Sequence, residues 1–115
     1  MGIISPVGTG AWLRQSGTIA ASGTSIVHQL PESSVRAIKY IFAFYNVLEN
    51  KTKSFEFHLN KESGNMKTTV TNKLGKQISL RINASINSGQ IEVQVINNEL
   101  FELNYEFGYL TLGRG

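Results

Sequence analysis

Residues 35–48, Val-Arg-Ala-Ile-Lys-Tyr-Ile-Phe-Ala-Phe-Tyr-Asn-Val-Leu, are the stretch of sequence that decides the fold. Aromatic and β-branched residues dominate it, and these residue types favour strands. Since side chains alternate between the two faces of a strand, one face carries Ile38, Tyr40, Phe42 and Phe44, and the other carries Lys39, Ile41, Ala43 and Tyr45. Both faces become largely apolar toward the end of the stretch, which predicts a central strand that is covered on both sides.

Similar alternating segments lie on both sides of this stretch and are separated by polar turns. The predicted strands are residues 11–19, 24–30, 35–48, 53–60, 66–71, 77–86, 90–96 and 101–112. No segment shows a helical period of useful length. This pattern predicts an all-β fold, an antiparallel β-sandwich of about eight strands, with a β-barrel as the alternative.

The chain has 115 residues, which is enough for one domain with one core. We expect an extended N-terminal arm at residues 1–10 and a single β domain at residues 11–115. The arm is rich in glycine and cannot build a core of its own, so its apolar side chains are predicted to pack on a neighbouring subunit. The candidate assembly residues of the arm are Ile3, Ile4, Val7 and, where the arm meets the domain, Trp12.

The sequence contains no recognisable catalytic apparatus. It has no cysteine, and all eight of its acidic residues are glutamates. The two histidines, His28 and His58, are far apart in sequence and are interpreted as outward-facing surface residues, so no converging metal ligands are predicted. Glu102 and Glu106 share a strand face, but strand geometry holds their backbones about 13 Å apart, beyond the separation that glycosidases use. We therefore expect a protein that is not an enzyme and that needs no cofactor and no metal.

Charge and hydropathy narrow the choice of partners. The net charge of +3 comes from scattered lysines and arginines, without the basic stripe and interleaved aromatic residues that nucleic-acid binding needs. No apolar stretch is long enough to cross a membrane as a helix. Only 17% of the residues are charged, which suits a surface that packs against other proteins. These features predict a homo-oligomer, with a trimer as the expected stoichiometry.

Aromatic residues leave one alternative open, a platform on which sugar rings stack. Tyr40 and Tyr105 each continue an apolar alternation and are interpreted as core residues. Trp12 and Tyr45 are then the candidate exposed aromatics. A carbohydrate-binding adhesion module is therefore the alternative function, although binding of a glycan is not the favoured reading.

Three stretches of the chain carry a likeness to a known family. They are Ser-Val-Arg-Ala-Ile-Lys-Tyr at residues 34–40, Phe-Glu-Phe-His-Leu at residues 55–59, and residues 82–95 with their turn Ser-Gly-Gln-Ile at residues 88–91. From about residue 18 to residue 112, the order of elements resembles a small β domain of tailed phages, notably of cyanophage virion and tail-fibre proteins. Ile96 and Asn97 stand where that family tends to have Thr-Pro, residues 60–65 replace its compact turn, and residues 1–10 are extra.

The resemblance implies an assembly module without an active site, so it carries over no functional residues. It implies a structural virion protein, namely a capsid decoration, neck, or tail or fibre component that binds other copies of itself and other virion proteins. We accordingly expect the protein to be made in the host cytoplasm and to reside in the virion.

Overall fold

The computed structural model describes residues 12–62, 65–75 and 78–113, and it confirms the all-β class. Its strands are β1 Leu13–Ile19, β2 Thr24–Pro31, β3 Ala37–Asn46, β4 Lys51–Glu62, β5 Asn65–Leu74, β6 Leu80–Asn87, β7 Gln90–Asn97 and β8 Leu103–Leu112. One turn of 3-10 helix, Glu32–Ser34, follows β2. The predicted arm at residues 1–10 lies outside the described residues.

The strands form two antiparallel sheets that pack face to face as a sandwich, not as a closed barrel. The larger sheet has five strands in the order β1-β8-β3-β4-β5, and the smaller has three in the order β2-β7-β6. As predicted, β3 is central in its sheet. The edge strands β1 and β2 lie on one side of the sandwich, and the edge strands β5 and β6 lie on the other.

The inner face of β3 is the centre of the core. Tyr40, Phe42 and Phe44 are all 0% exposed. The strand register places Phe42 opposite Phe55 on β4 and opposite Phe107 on β8. Its ring centroid lies 4.8 Å from that of Phe107 and 5.5 Å from that of Phe44. Burying one such ring contributes roughly 1.5 to 3 kcal/mol, and each good aromatic pair adds about 0.5 to 1.5 kcal/mol, so this row stabilises both sheets.

The outer face of β3 is exposed, so the prediction that the strand is covered on both sides is wrong. Ile41 is 46% exposed and Tyr45 is 36% exposed. The smaller sheet packs on the inner face only, and no second layer of described residues lies on the other face. The apolar character of both faces therefore reflects a core on one side and an uncovered apolar surface on the other.

His28 lies in the core, and its interpretation as a surface residue is wrong. The register between β2 and β7 shifts between Ile26 and His28, so that Val27 is an extra residue in a β-bulge. The bulge turns His28 inward, where it is 7% exposed, while Ile26 stays outside at 47%. His28 Nδ1 lies 2.8 Å from the hydroxyl oxygen of Tyr40, which joins the two sheets by a hydrogen bond.

Asn97 joins the β1–β2 and β7–β8 connections at one end of the sandwich and is 1% exposed. Its side-chain amide donates to the carbonyl oxygens of Ala20, at 3.0 Å, and Phe101, at 2.9 Å. Its side-chain oxygen accepts a hydrogen bond from the backbone N–H of Glu99 at 2.9 Å. The amide thus satisfies buried backbone groups that turn residues alone would leave unpaired.

Two glycines on the β1–β8 pair differ in the space around them. A Cβ atom at Gly17 would lie 2.7 Å from the hydroxyl oxygen of Tyr105, its cross-strand partner. A Cβ atom at Gly108 would lie 3.5 Å from Cε3 of Trp12, an ordinary van der Waals contact. A side chain at Gly17 would therefore require the Tyr105 ring to shift, whereas one at Gly108 would fit without a shift.

We expect Gly17→Ala to lower the free energy of unfolding by about 1 kcal/mol or more. Displacing the Tyr105 ring costs more than the reduced backbone entropy gains. Gly108→Ala is the matched control and should be neutral or slightly stabilising. Urea denaturation of both variants measures this difference, and equal stabilities would contradict the packing described at Gly17.

Candidate interaction surface

An apolar surface covers the middle of the exposed face of the larger sheet. Cross-strand partners share a face, and β3 and β8 place Ile41 beside Gly108 and Ala43 beside Glu106. We call Trp12, Ile41, Ala43 and Gly108 the outer-face patch. Together with Arg14 and Ser54 they line a shallow depression of about 390 Å³.

Trp12 and Ile41 are the large side chains of the patch. The indole of Trp12 lies over Gly108, which has no side chain to displace it. Trp12 remains 47% exposed and Ile41 46% exposed, on opposite sides of that glycine. Large apolar side chains that share one exposed depression are typical of a surface that contacts another molecule.

Ion pairs border the patch on both sides. Arg14 pairs with Glu106 at 3.1 Å on one side. On the other side, Glu56 lies 3.1 Å from Nε2 of His58 and 3.7 Å from Nζ of Lys39. The hydrogen bond from His58, and then that from Asn72, lowers the pKa of Glu56. The border therefore holds charges of both signs, each beside an opposite charge.

Tyr45 lies on the same face as the patch but does not belong to it. It is four residues beyond Ile41 on β3, which corresponds to about 13 Å along a strand. It lines a separate depression of about 280 Å³ with Val47 and Lys51, at the turn between β3 and β4. The structure therefore leaves both candidate aromatics, Trp12 and Tyr45, exposed but does not join them into one platform.

Within the described ranges, no group of three or more histidine and glutamate side chains is placed to hold a metal ion. Ile3, Ile4 and Val7 lie outside the described residues, so their role in assembly stays a prediction.

No helix in the described part of the chain is long and apolar enough to span a membrane.

His28 and Tyr40 form a buried titratable pair that sequence reasoning missed. Burial lowers the pKa of His28 to about 4 and raises that of Tyr40. The ring of Tyr109 packs against His28 at 4.3 Å between centroids. Both members of the pair are therefore uncharged near neutral pH, which suits a structural hydrogen bond better than proton transfer.

Comparison with known proteins gives no family. No protein-family model matches the chain, and no curated protein gives a significant match. Among solved structures, the tailspike protein of Acinetobacter phage vB_ApiP_P1 is similar with a TM-score of 0.47 and 10% sequence identity. The alignment covers 89% of this chain and 21% of the tailspike chain, so this chain spans about a fifth of that protein's length. The structural neighbour is thus a phage tail protein, and a likeness this weak assigns no function.

His28 should make the stability of the protein depend on pH. Its pKa is about 4 in the folded protein and near 6.5 when unfolded, so the unfolded chain binds the proton more readily between these values. Stability is then full above pH 6.5 and falls by about 3 kcal/mol as the pH drops toward 4. Tyr40, which faces His28, has a raised pKa and stays protonated in this range.

Urea denaturation at several pH values between 7 and about 4.5 tests this dependence. In His28→Asn the decline attributed to His28 should disappear, although stability at pH 7 should also be lower. His58→Asn, on the exposed face, serves as the control and should keep the decline. An unchanged pH dependence in His28→Asn would assign the decline to other groups.

Proposed function

We propose that this domain is a structural protein of a tailed-phage particle and that it acts through protein–protein contacts, without catalysis. The assignment to a phage particle rests on the sequence resemblance in residues 34–40, 55–59 and 82–95. The assignment to protein contacts rests on the outer-face patch. Capsid decoration, neck, and tail or fibre positions are all compatible with such a module.

The single observation that supports a role in protein contacts is the exposure of two large apolar side chains, Trp12 and Ile41, on the outer face of the larger sheet. Covering the exposed half of each side chain contributes about 1 kcal/mol, which does not by itself offset the cost of association. A stable contact needs about 800 Å² on each partner, so the patch is its centre and the surrounding polar residues are its rim.

A second copy of this chain is the partner that the patch fits best. Arg14 and Glu106 both line the depression, so copies arranged around a threefold axis can place the arginine of each opposite the glutamate of the next. A partner of strong net charge would leave one member of this pair without a complement. The trimer expected from the sequence remains the stoichiometry that we propose.

Ile41→Lys should weaken self-association without unfolding the domain. The new lysine would lie opposite Glu56 on β4, where its charge is tolerated, but it would put an ammonium group in the centre of the contact. Sedimentation of the wild-type protein at high micromolar concentration should show about three times the 12.7 kDa mass of one chain. The variant should sediment as a monomer and should still unfold cooperatively, as a folded domain does.

Ile26→Lys is the matched control, because Ile26 is 47% exposed on the opposite face of the sandwich. It should sediment like the wild type. A wild-type protein that is monomeric at high micromolar concentration would overturn the proposal. If only Ile26→Lys dissociated the oligomer, the contact would lie on the smaller sheet instead.

The exposed indole of Trp12 favours the second candidate function, a carbohydrate-binding module. We expect a glycan array to show no binding, because Tyr45 lines a separate depression and a single ring makes a weak sugar site. Binding that is lost in both Trp12→Ala and Tyr45→Ala would promote this second function above the first. Leu112→Ala, at another exposed apolar residue of the same sheet, is the control for general surface effects.

A further inference from the structure

A second candidate site lies on the side of the sandwich where the edge strands β5 and β6 face each other. It is a cleft of about 330 Å³. Its floor is apolar and consists of Phe55, Val70, Leu80 and Ile82. Its polar lining consists of Lys53, Lys73, Arg81 and Asn83. Three cations and no carboxylate therefore border an apolar groove.

A β-bulge brings Lys73 to this cleft. The register of β5 on β4 steps from Thr71 opposite Glu56 to Leu74 opposite Ser54, which leaves one extra residue on β5. Asn72 adopts a positive φ of 54° in this bulge. Without the extra residue, alternation would place Lys73 on the outer face with Thr71. The bulge turns it to the inner side instead, and bulges commonly re-aim a side chain in this way.

Within the described ranges, no ion pair neutralises the charges of the cleft. Among the described residues, the ion pairs involve Arg14, Lys39, Lys61 and Lys67, with His58 as a further partner. Lys53 donates a hydrogen bond to the carbonyl oxygen of Ile78 at 3.1 Å, an uncharged acceptor. This concentration of positive charge contrasts with the outer-face patch, whose border charges are paired.

Unpaired backbone groups of two edge strands also lie beside the cleft. In the described sheets, β5 is bonded only to β4, and β6 only to β7. Each strand therefore presents one unpaired edge of N–H and C=O groups toward this side of the sandwich. Unpaired edges of this kind accept an added strand, with specificity supplied by side-chain pockets.

We propose that the cleft between β5 and β6 binds an extended acidic segment of a partner protein. Aliphatic side chains of that segment pack on Val70, Leu80 and Ile82, and its flanking carboxylates meet Lys53, Lys73 and Arg81. The segment's backbone pairs with a strand edge.

The lining favours a peptide over an acidic sugar. Sugar rings stack on exposed aromatic faces, but Phe55, the aromatic residue of the floor, is 3% exposed. The rest of the floor is aliphatic, which suits valine, leucine or isoleucine side chains. The chain's own arm lacks the carboxylates that the proposed segment needs, because residues 1–31 contain no aspartate or glutamate.

The probe for this site is the capped peptide Glu-Val-Glu-Val-Glu-Val-Glu, and the control is the same peptide with lysine in place of glutamate. Fluorescence anisotropy should show saturable binding of the acidic peptide only. In NMR spectra of the protein, backbone signals of β5 and β6 should shift. Lys73→Glu and Arg81→Glu should each weaken binding about tenfold, because an attraction becomes a repulsion.

Lys67→Glu is the matched control, since it makes the same charge change on β5 about 20 Å along the strand from Lys73. It should bind like the wild type, and so should Ile41→Lys, because this site is independent of self-association. If Lys67→Glu weakened peptide binding as much as Lys73→Glu does, the effect would depend only on the net charge of the protein, and the proposal would be overturned. Absence of peptide binding would overturn it too, as would binding of a galacturonate oligosaccharide in its place.

Discussion

The packing of aromatic side chains on the inner face of β3 is the constraint on which the rest of the structure depends. Tyr40, Phe42 and Phe44 are fully buried, and the ring of Phe42 contacts those of Phe55 and Phe107 on the flanking strands. A shift of either flanking strand by one residue would turn its aromatic side chain to the outside. The row therefore sets the register of β4 and β8 together. The same alternation places Ile41 on the outer face. The alternation of side chains along β3 therefore produces both the core and the outer-face patch.

Local features of the fold could be predicted from the sequence because they depend on neighbouring residues. The turn between β6 and β7 is an example: Asn87 pairs with Gln90, and Ser88 and Gly89 between them both have positive φ, of 52° and 78°. The sequence predicted a tight turn at this place, since glycine adopts that conformation readily. The eight strands were likewise visible from their alternation. Their distribution between two sheets was not, because the pairing of β1 with β8 joins segments far apart in sequence.

The two β-bulges mark the limit of reasoning from alternation. An extra residue moves the side chains that follow it to the opposite face of the strand. Nothing in the composition of the sequence indicated the extra residues at Val27 and Asn72. At the first bulge His28 enters the core, whereas strict alternation would place it on the same face as Ile26, which is exposed. At the second, Lys73 joins a cleft whose other residues come from β4, β5 and β6. A site assembled from three strands and one bulge has no linear motif, so sequence reasoning had no signal from which to find it. The patch was partly visible, because Trp12 stood out as an aromatic residue without a place in the core.

The patch and the cleft differ in the kind of selectivity that their charges allow. At the patch, Arg14 and Glu106 already satisfy each other, so a partner gains mainly from covering Trp12 and Ile41. Salt has little effect on such a contact, since apolar burial is not screened. At the cleft, Lys53, Lys73 and Arg81 act over roughly 8 Å at physiological ionic strength and favour an acidic partner before contact is made. A domain with both surfaces can join like copies through one sheet face and a different, acidic protein through one side of the sandwich. Because the two surfaces involve different strand faces and edges, a partner at one of the proposed sites would leave the other accessible.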